Sequence, residues 1–523
     1  MSINPILLQV FKNRFSSIAE EMGVTLIRTA YSPNIKERRD LSCALFDDTG
    51  QMVAQAEHIP VHLGSMPLSV QAAMERIEMR EGDMVVLNDP FQGGTHLPDV
   101  TLVAPVFAPG SEAPDFYVAN RAHHSDIGGM SAGSMPLSDS IYQEGLIIPP
   151  LKIIRKGERD ENVFRLIMSN VRTPREREGD FAAQIMANIT GVRRLKELIE
   201  KYGGNTVHHY AGGLVDYAEK AVRRRLSRVP NGVYRFADYM DEDGTGTENI
   251  RIDLKLTVDR GEMVFDFTGS ADQVRGCINA VHSITLSAVL YVVRSLVRDD
   301  IPANSGCLRP VTVRTRQGSL LDAARPAAVA GGNVETSQRI VDVILGALSR
   351  AMPDEIPAAS QGSMNNVTVG GTNGRGESFT YYETLGGGMG ASARSPGESA
   401  VHSHMTNTLN TPVEALEYAY PLRVTCYRVR EGSGGAGRMQ GGNGMIRETE
   451  FLCPAEVTVL SERRKNAPYG LNGGGPGRCG KNSIVFSDGS MRDVPGKFKL
   501  RLEKGDRLRI STPGGGGYGS LDD

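Results

Sequence analysis

Only six cysteines occur in 523 residues, and none stands in a C-x-x-C pair. Scattered as Cys43, Cys277, Cys307, Cys426, Cys453 and Cys479, they argue against a zinc ribbon and against a disulfide framework. No apolar run reaches the length of a membrane helix, so no span is expected. Neither sign of charge dominates: 58 basic and 61 acidic residues leave a formal net charge of -3. Nothing in that balance points to a nucleic acid or a membrane as partner. The opening MSINPILLQVFKNRF mixes Asn, Gln and charges with its apolar residues and reads as an amphipathic helix, not a signal peptide. The cytoplasm is the expected location. Tryptophan is absent altogether.

Several catalytic signatures are missing as well. There is no G-x-S-x-G nucleophile elbow. GSGGAG at 432–437 has dinucleotide-loop spacing but runs into RMQGGNG, another glycine-rich turn. GPGRCGKN at 475–482 has phosphate-loop spacing, yet Asn482 stands where Ser or Thr should hold Mg²⁺. The SIVFSDGS that follows reads as a strand, leaving no helix N-terminus for a phosphate. No nucleotide site is therefore expected on this chain, and no cysteine shows a local sign of nucleophile activation.

What the chain has in excess is glycine, 60 residues of it. Its length calls for two to four packed subdomains. Helical periodicity covers 4–30, with Asn4 as cap, Pro5 in the first turn and Pro33 as the stop. Helices are also expected near 68–78, over 175–228 with a break at Tyr202–Asn205, near 283–297 and over 335–351. LSCALF and QMVAQA flank the turn DDTG as a first hairpin; VTLVAPVF and DFYVANRA form a second. Strand patterns dominate 421–512, where the glycine runs read as ordered turns. The fold class is α+β, with mixed and antiparallel sheets, packed helices and a β-rich C-terminal region. Boundaries are expected at 1–230, 231–420 and 421–523.

The chemistry concentrates in NDPFQGGTHLPDV and NRAHHSDIGG. His96 and Asp99 precede one strand of the second hairpin; His123 and His124 follow the other. Pairing residue 107 with 116 places residue 100 opposite 123, and so brings Asp99 beside His123 with about 5 Å between opposed Cα atoms. Pro98 interrupts the strand and lets His96 turn back to the same point. Two imidazoles and a carboxylate at such a mouth suit Zn²⁺, Mn²⁺ or Fe²⁺. The first hairpin brings ERRD toward EHIPVH, making Asp40 a candidate fourth ligand and His58 and His62 candidates for the layer behind. Asp89 and Asp126 could orient ligating imidazoles. His402 and His404, at strand spacing, are read as polar contacts near a pocket or a second, weaker metal candidate.

The segments IKERRDLSCALFD, HIPVHLGSM, NDPFQGGTHLPDV, RAHHSDIGG, LSERRKNAPYGLNGGGPG and PGGGGYG together resemble the hydantoinase B/oxoprolinase family, from about residue 4 to residue 519. That resemblance implies a B-type subunit carrying Zn²⁺ or Mn²⁺ on His96, Asp99 and His123, with Asp40 a further carry-over. It implies an A-type partner of the actin-like ATPase class that binds ATP with Mg²⁺, in a hetero-oligomer such as A2B2. The partner would phosphorylate an amide or ketone oxygen, with the metal then acting as Lewis acid on the activated carbonyl. Asp126 and His124 are general-base candidates by position. The expected activity is ATP-dependent hydrolysis of a cyclic amide (a hydantoin, 5-oxoproline or a lactam). The alternatives are a ketone carboxylase subunit and a scaffold with a structural metal.

Overall fold

The central strands of the first sheet are rich in apolar residues and are buried on both faces. A computed structural model describes residues 3–56, 59–297 and 300–522. In it a seven-stranded sheet is built from β1 (Leu41–Asp47), β2 (Met52–Gln55), β3 (Met84–Leu87), β4 (Asp99–Val106), β5 (Phe116–His123), β6 (Leu151–Arg155) and β7 (Glu158–Arg159), in the order β2-β1-β5-β4-β3-β6-β7. Every pairing in it is antiparallel. The period-2 alternation of strands splits the side chains. Leu45, Leu102, Val118 and Ala122 join the main core, which also receives helices α1 (Pro5–Thr29) and α5 (Pro174–Tyr202). Ala44, Phe46, Val103 and Ala119 face the other way, against helix α3 (Ser65–Arg76). The remaining helices are α2 (Pro33–Lys36), α4 (Glu161–Met168), α6 (Gly204–Leu226), α7 (His282–Leu296), α8 (Ser337–Ser349) and α9 (Val413–Ala419).

Asn4 caps α1 as its sequence demands, its side chain accepting from the backbone of Ile6 and Leu7. The helix ends earlier than expected, at Thr29. Pro33 does not stop it but opens α2, where a missing N–H costs nothing and Ser32 accepts from Ile35. The helical break near 202–205 falls at Gly203, whose φ of 81° only glycine adopts cheaply.

A second sheet, in the order β11-β10-β9-β8, is formed by β8 (Gly232–Glu242), β9 (Glu248–Asp259), β10 (Glu262–Asp266) and β11 (Val311–Arg314), and α8 packs on it. A third joins β12 (Asn366–Thr372) and β13 (Ser378–Glu383) to β16 (Ala455–Leu460) and β19 (Lys497–Leu502). Hydrogen bonding therefore runs across residue 420, because β12 pairs with β16. The fourth consists of β14 (Leu422–Val429), β15 (Met445–Phe451), β17 (Lys481–Val485), β18 (Met491–Val494) and β20 (Arg507–Ser511). Lys481 of the GPGRCGKN stretch thus opens a strand, and no helix follows it among the described residues.

The glycine runs turn at points such as 471–474, where the Gly474 N–H donates to the Leu471 carbonyl (2.9 Å), but most of their length serves another purpose. Segments around 388–397, 434–444, 470–477 and 513–517 lie backbone against backbone, joined by N–H···O bonds such as Gly515 to Gly442 (2.9 Å), Gly442 to Met389 (2.9 Å) and Gly516 to Ala359 (2.8 Å). Such approach requires residues without a side chain, which accounts for much of the glycine excess.

Candidate metal centre

Strand alternation decides which side chains can meet. Asp99 pairs directly with His123, one residue away from the register expected of the hairpin. The connector closes a residue sooner, with Val106 opposite Phe116 and Asp115 accepting from the backbone of Ala108 (2.7 Å). Neither Asp99 nor His123 bonds the other's backbone: the Asp99 N–H donates to His96 and the His123 N–H to Asp40. This is the close type of antiparallel pair, with side chains brought nearest. Both lie on the α3 side of the sheet. On the same side, Arg121 donates to Thr101 (2.8 Å) and Ser69 (2.7 Å), and Ser42 meets His62 (2.9 Å).

Three ligand atoms converge there. His96 Nε2 stands 3.2 Å from His123 Nδ1, and Asp99 Oδ1 stands 3.3 Å and 3.2 Å from those two nitrogens. All three residues are buried, at 0%, 1% and 2% exposure for His96, Asp99 and His123. Among the described residues they form the one cluster of His, Cys, Asp or Glu with metal-ligating geometry. Atoms on one face of a tetrahedron with ligand bonds of about 2.0–2.1 Å are themselves about 3.3 Å apart. Asp99 Oδ1 is buried and accepts no hydrogen bond, so the donor set fits a divalent cation.

The contacts made by Thr95, His62 and Ala330 leave those atoms free. Asp99 Oδ2 accepts from Thr95 Oγ1 (2.5 Å) and lies 3.3 Å from His62 Nε2, while His62 Nδ1 faces Ser42. His96 Nδ1 faces the Ala330 carbonyl at 3.4 Å, which favours the tautomer with an unprotonated Nε2. The His123 ring stacks on Tyr382 (4.5 Å, 12°), and the Arg38 guanidinium lies 4.8 Å from the same ring. Arg38 also donates to Thr384 (2.8 Å), anchoring ERRD to β13's end. Burial pushes the Asp99 carboxyl up, but the His96 and His62 imidazoles beside it outweigh that and hold it well below the usual carboxylate range. Burial lowers the His123 pKa against the pull of Asp99 and Asp40. His62→Ala is expected to weaken metal binding about 10- to 100-fold by freeing the Asp99 carboxylate to turn. A competitive chelator titration measures this, and unchanged affinity would remove His62 from the assembly.

Other residues singled out in the sequence lie elsewhere. His124 alternates to the α5 side, where Nε2 meets Gln184 Oε1 (2.9 Å) and the ring lies 4.7 Å from Phe181. Burial drives its pKa down to about 4. Asp126 is held by Arg172, through Nη1 (2.9 Å) and the backbone N–H (2.8 Å). Those contacts commit His124 Nε2 and the Asp126 carboxylate, and leave His124 Nδ1 buried without a hydrogen-bond partner. Asp89 caps the turn after it, accepting from Phe91 N (3.1 Å) and Gln92 (2.7 Å), and pairs with Arg325. Asp40 is buried at the end of β1's approach, outside the three-atom group. His58 lies outside the described residues. His402 and His404 sit outside any strand: His404, with φ 52°, faces Tyr291 (3.2 Å), and burial lowers the His402 pKa to about 4.

The structure adds residues with no sequence pattern to announce them. Glu144 accepts from Ser138 and from the N–H groups of Val329 and Ala330, behind His96, and burial raises its pKa to about 7. Tyr382 donates to Asn366 (2.8 Å), which donates to Glu335 (2.7 Å), whose pKa burial raises to about 8. Asn333 places Nδ2 3.0 Å from His96 Nε2. Only Thr95, four residues before Asp99 in G-G-T-H-L-P-D, had a local signal.

The sequence matches the hydantoinase B/oxoprolinase family over residues 4–521. It is 44% identical to 5-oxoprolinase 1 of Arabidopsis thaliana across 98% of this chain, which spans 42% of that relative. The fold matches the ATP-dependent caprolactamase of Pseudomonas jessenii with a TM-score of 0.92 and 29% identity, covering 99% of this chain and 92% of that one. It also matches an acetone carboxylase structure with a TM-score of 0.91 at 18% identity, over 99% of this chain and 76% of that one, a likeness of fold. With its fold and sequence matched over nearly their whole length, the chain belongs to the hydantoinase B/oxoprolinase family.

Proposed function

We propose that this chain is the metal-containing B subunit of an ATP-dependent cyclic-amide hydrolase that works with an ATP-binding A subunit. The observation that carries the reading is the triangle of His96 Nε2, Asp99 Oδ1 and His123 Nδ1, with sides of 3.2–3.3 Å in a buried setting. Asp40 is proposed as a fourth ligand. Its carbonyl accepts the His123 N–H (3.1 Å), and its carboxylate acts electrostatically on the His123 ring. A divalent ion at such a site polarises a carbonyl oxygen and lowers the pKa of water. The chain's own groups set the rest: Thr95 and His62 fix the carboxylate, Ala330 fixes the His96 tautomer, and burial keeps bulk water out.

The substrate class is supported by the relatives, one named a 5-oxoprolinase and one an ATP-dependent caprolactamase. Both names point to a ring amide. A partner is supported by the family description, hydantoinase B, which marks a B-type subunit. We place the ATP-using step on a separate A-type subunit, in an assembly such as A2B2, with Zn²⁺, Mn²⁺ or Fe²⁺ on this chain.

The test is the chain co-purified with its partner and given ATP together with hydantoin, 5-oxoproline or a lactam, in parallel with acetone plus bicarbonate. Ring opening coupled to ATP hydrolysis with at least one cyclic amide is expected. ATP turnover that depends only on ketone plus bicarbonate would instead make the chain a carboxylase subunit.

A further inference from the structure

Asn333 occupies a place that the metal ligands alone do not explain. It lies in a π-helical turn, Gly332–Thr336, immediately before α8. Such turns are rare and concentrate at functional sites. The turn is pressed against the segment at 277–280: a Cβ on Gly332 would stand 1.9 Å from the Asn279 carbonyl oxygen, so only glycine lets the backbone approach this closely. That approach delivers Asn333 to the metal ligands. Ala330, three residues earlier, supplies the carbonyl that faces His96 Nδ1, while Asn333 Nδ2 stands 3.0 Å from His96 Nε2. One short segment therefore contacts both nitrogens of the same imidazole.

The Asn333 contact is to the very atom that would ligate a cation. One imidazole lone pair cannot serve both an N–H donor and a metal ion. Once His96 Nε2 is given to the ion, the Asn333 amide must find another acceptor. The residue is 3% exposed and its Oδ1 has no hydrogen-bond partner, so its amide is otherwise uncommitted. A buried amide N–H without an acceptor is costly. The acceptor its position offers is an oxygen of whatever occupies the site beside His96.

We propose that Asn333 is a catalytic donor, its amide nitrogen hydrogen-bonding the carbonyl oxygen of the substrate at the His96–Asp99–His123 site. This rests on the metal-centre reading above and adds to it the group that recognises the substrate oxygen. It also gives the turn before α8 a function: it couples the tautomer of His96 to the position of the donor. Because the donor is preorganised where charge builds on the carbonyl oxygen, its loss lowers kcat more than it raises KM.

The experiment uses the full chain loaded with Co²⁺, whose visible spectrum reports its coordination, and acetohydroxamate as the carbonyl-bearing probe. Asn333→Ala and the near-isosteric Asn333→Asp are compared with wild type, so that loss of folding in one leaves the other to decide. Unchanged Co²⁺ affinity in Asn333→Ala, with acetohydroxamate binding weakened about tenfold or more in both variants, is the expected result. With the partner and ATP, kcat on the best cyclic amide should fall about 10²-fold. Equal acetohydroxamate affinity in wild type and a folded variant overturns the donor role. A tenfold loss of Co²⁺ affinity in Asn333→Ala makes the residue a ligand and overturns it too. If wild type binds Co²⁺ and acetohydroxamate but opens no cyclic amide, the substrate reading fails, and the spectral comparison still decides the role of Asn333.

Discussion

Asp99→Asn is expected to leave the purified chain without bound divalent metal and to cut ring opening by at least about 10³-fold. The substitution keeps size and shape but removes the one negative charge in the triangle. Two neutral imidazoles and an amide hold a divalent ion far more weakly than two imidazoles and a carboxylate. The fold should survive, because the amide can keep the contact with Thr95 through its oxygen. Acid stability offers a second readout. The Asp99 carboxyl titrates well below its ordinary value in the folded chain, so its contribution to stability is full above the unfolded value near pH 4. It is lost as pH falls through the folded value, and Asp99→Asn should remove that part of the acid sensitivity. Retention of stoichiometric metal by the variant would contradict the assignment.

Gly515→Ala carries the largest expected cost to stability. A Cβ at this position would stand 2.0 Å from the Met389 carbonyl oxygen and 2.3 Å from its carbon. The obstacle is backbone, itself bonded to neighbouring glycine segments, so it cannot turn aside as a side chain would. Overpacking of a core side chain costs about 1–3 kcal/mol. Backbone against backbone should exceed about 4 kcal/mol, enough to abolish cooperative unfolding or soluble expression. Gly374→Ala is the control. It is an exposed position with open space around its would-be Cβ, and its melting temperature should be unchanged. A Gly515→Ala variant that melts with wild type would refute the packed-glycine account.

How far the sequence disclosed this molecule depends on the range of the forces involved. The α1 cap at Asn4, the hairpins and the helices that became α7 and α8 were legible because periodicity and capping are local. So was the meeting of Asp99 with His123, since hairpin connectivity places both at one end of a ladder even when the register is misjudged by a residue. What misled was adjacency in the chain. His124 and Asp126 follow His123 closely, but strand alternation sends His124 to α5, and Arg172, far along the chain, takes Asp126. Glu144, Asn333 and Tyr382 reach the centre from segments that share no pattern with it. The glycine runs read as turns because composition reports permissive backbone without saying whether it serves a bend or close packing.

Metal analysis of the native chain, purified without chelator or added metal, decides whether His96, Asp99 and His123 hold a divalent ion. One zinc, manganese or iron ion per chain is expected in wild type and none in His96→Ala. A wild-type chain free of divalent metal, or a His96→Ala variant that keeps its full complement, would contradict it.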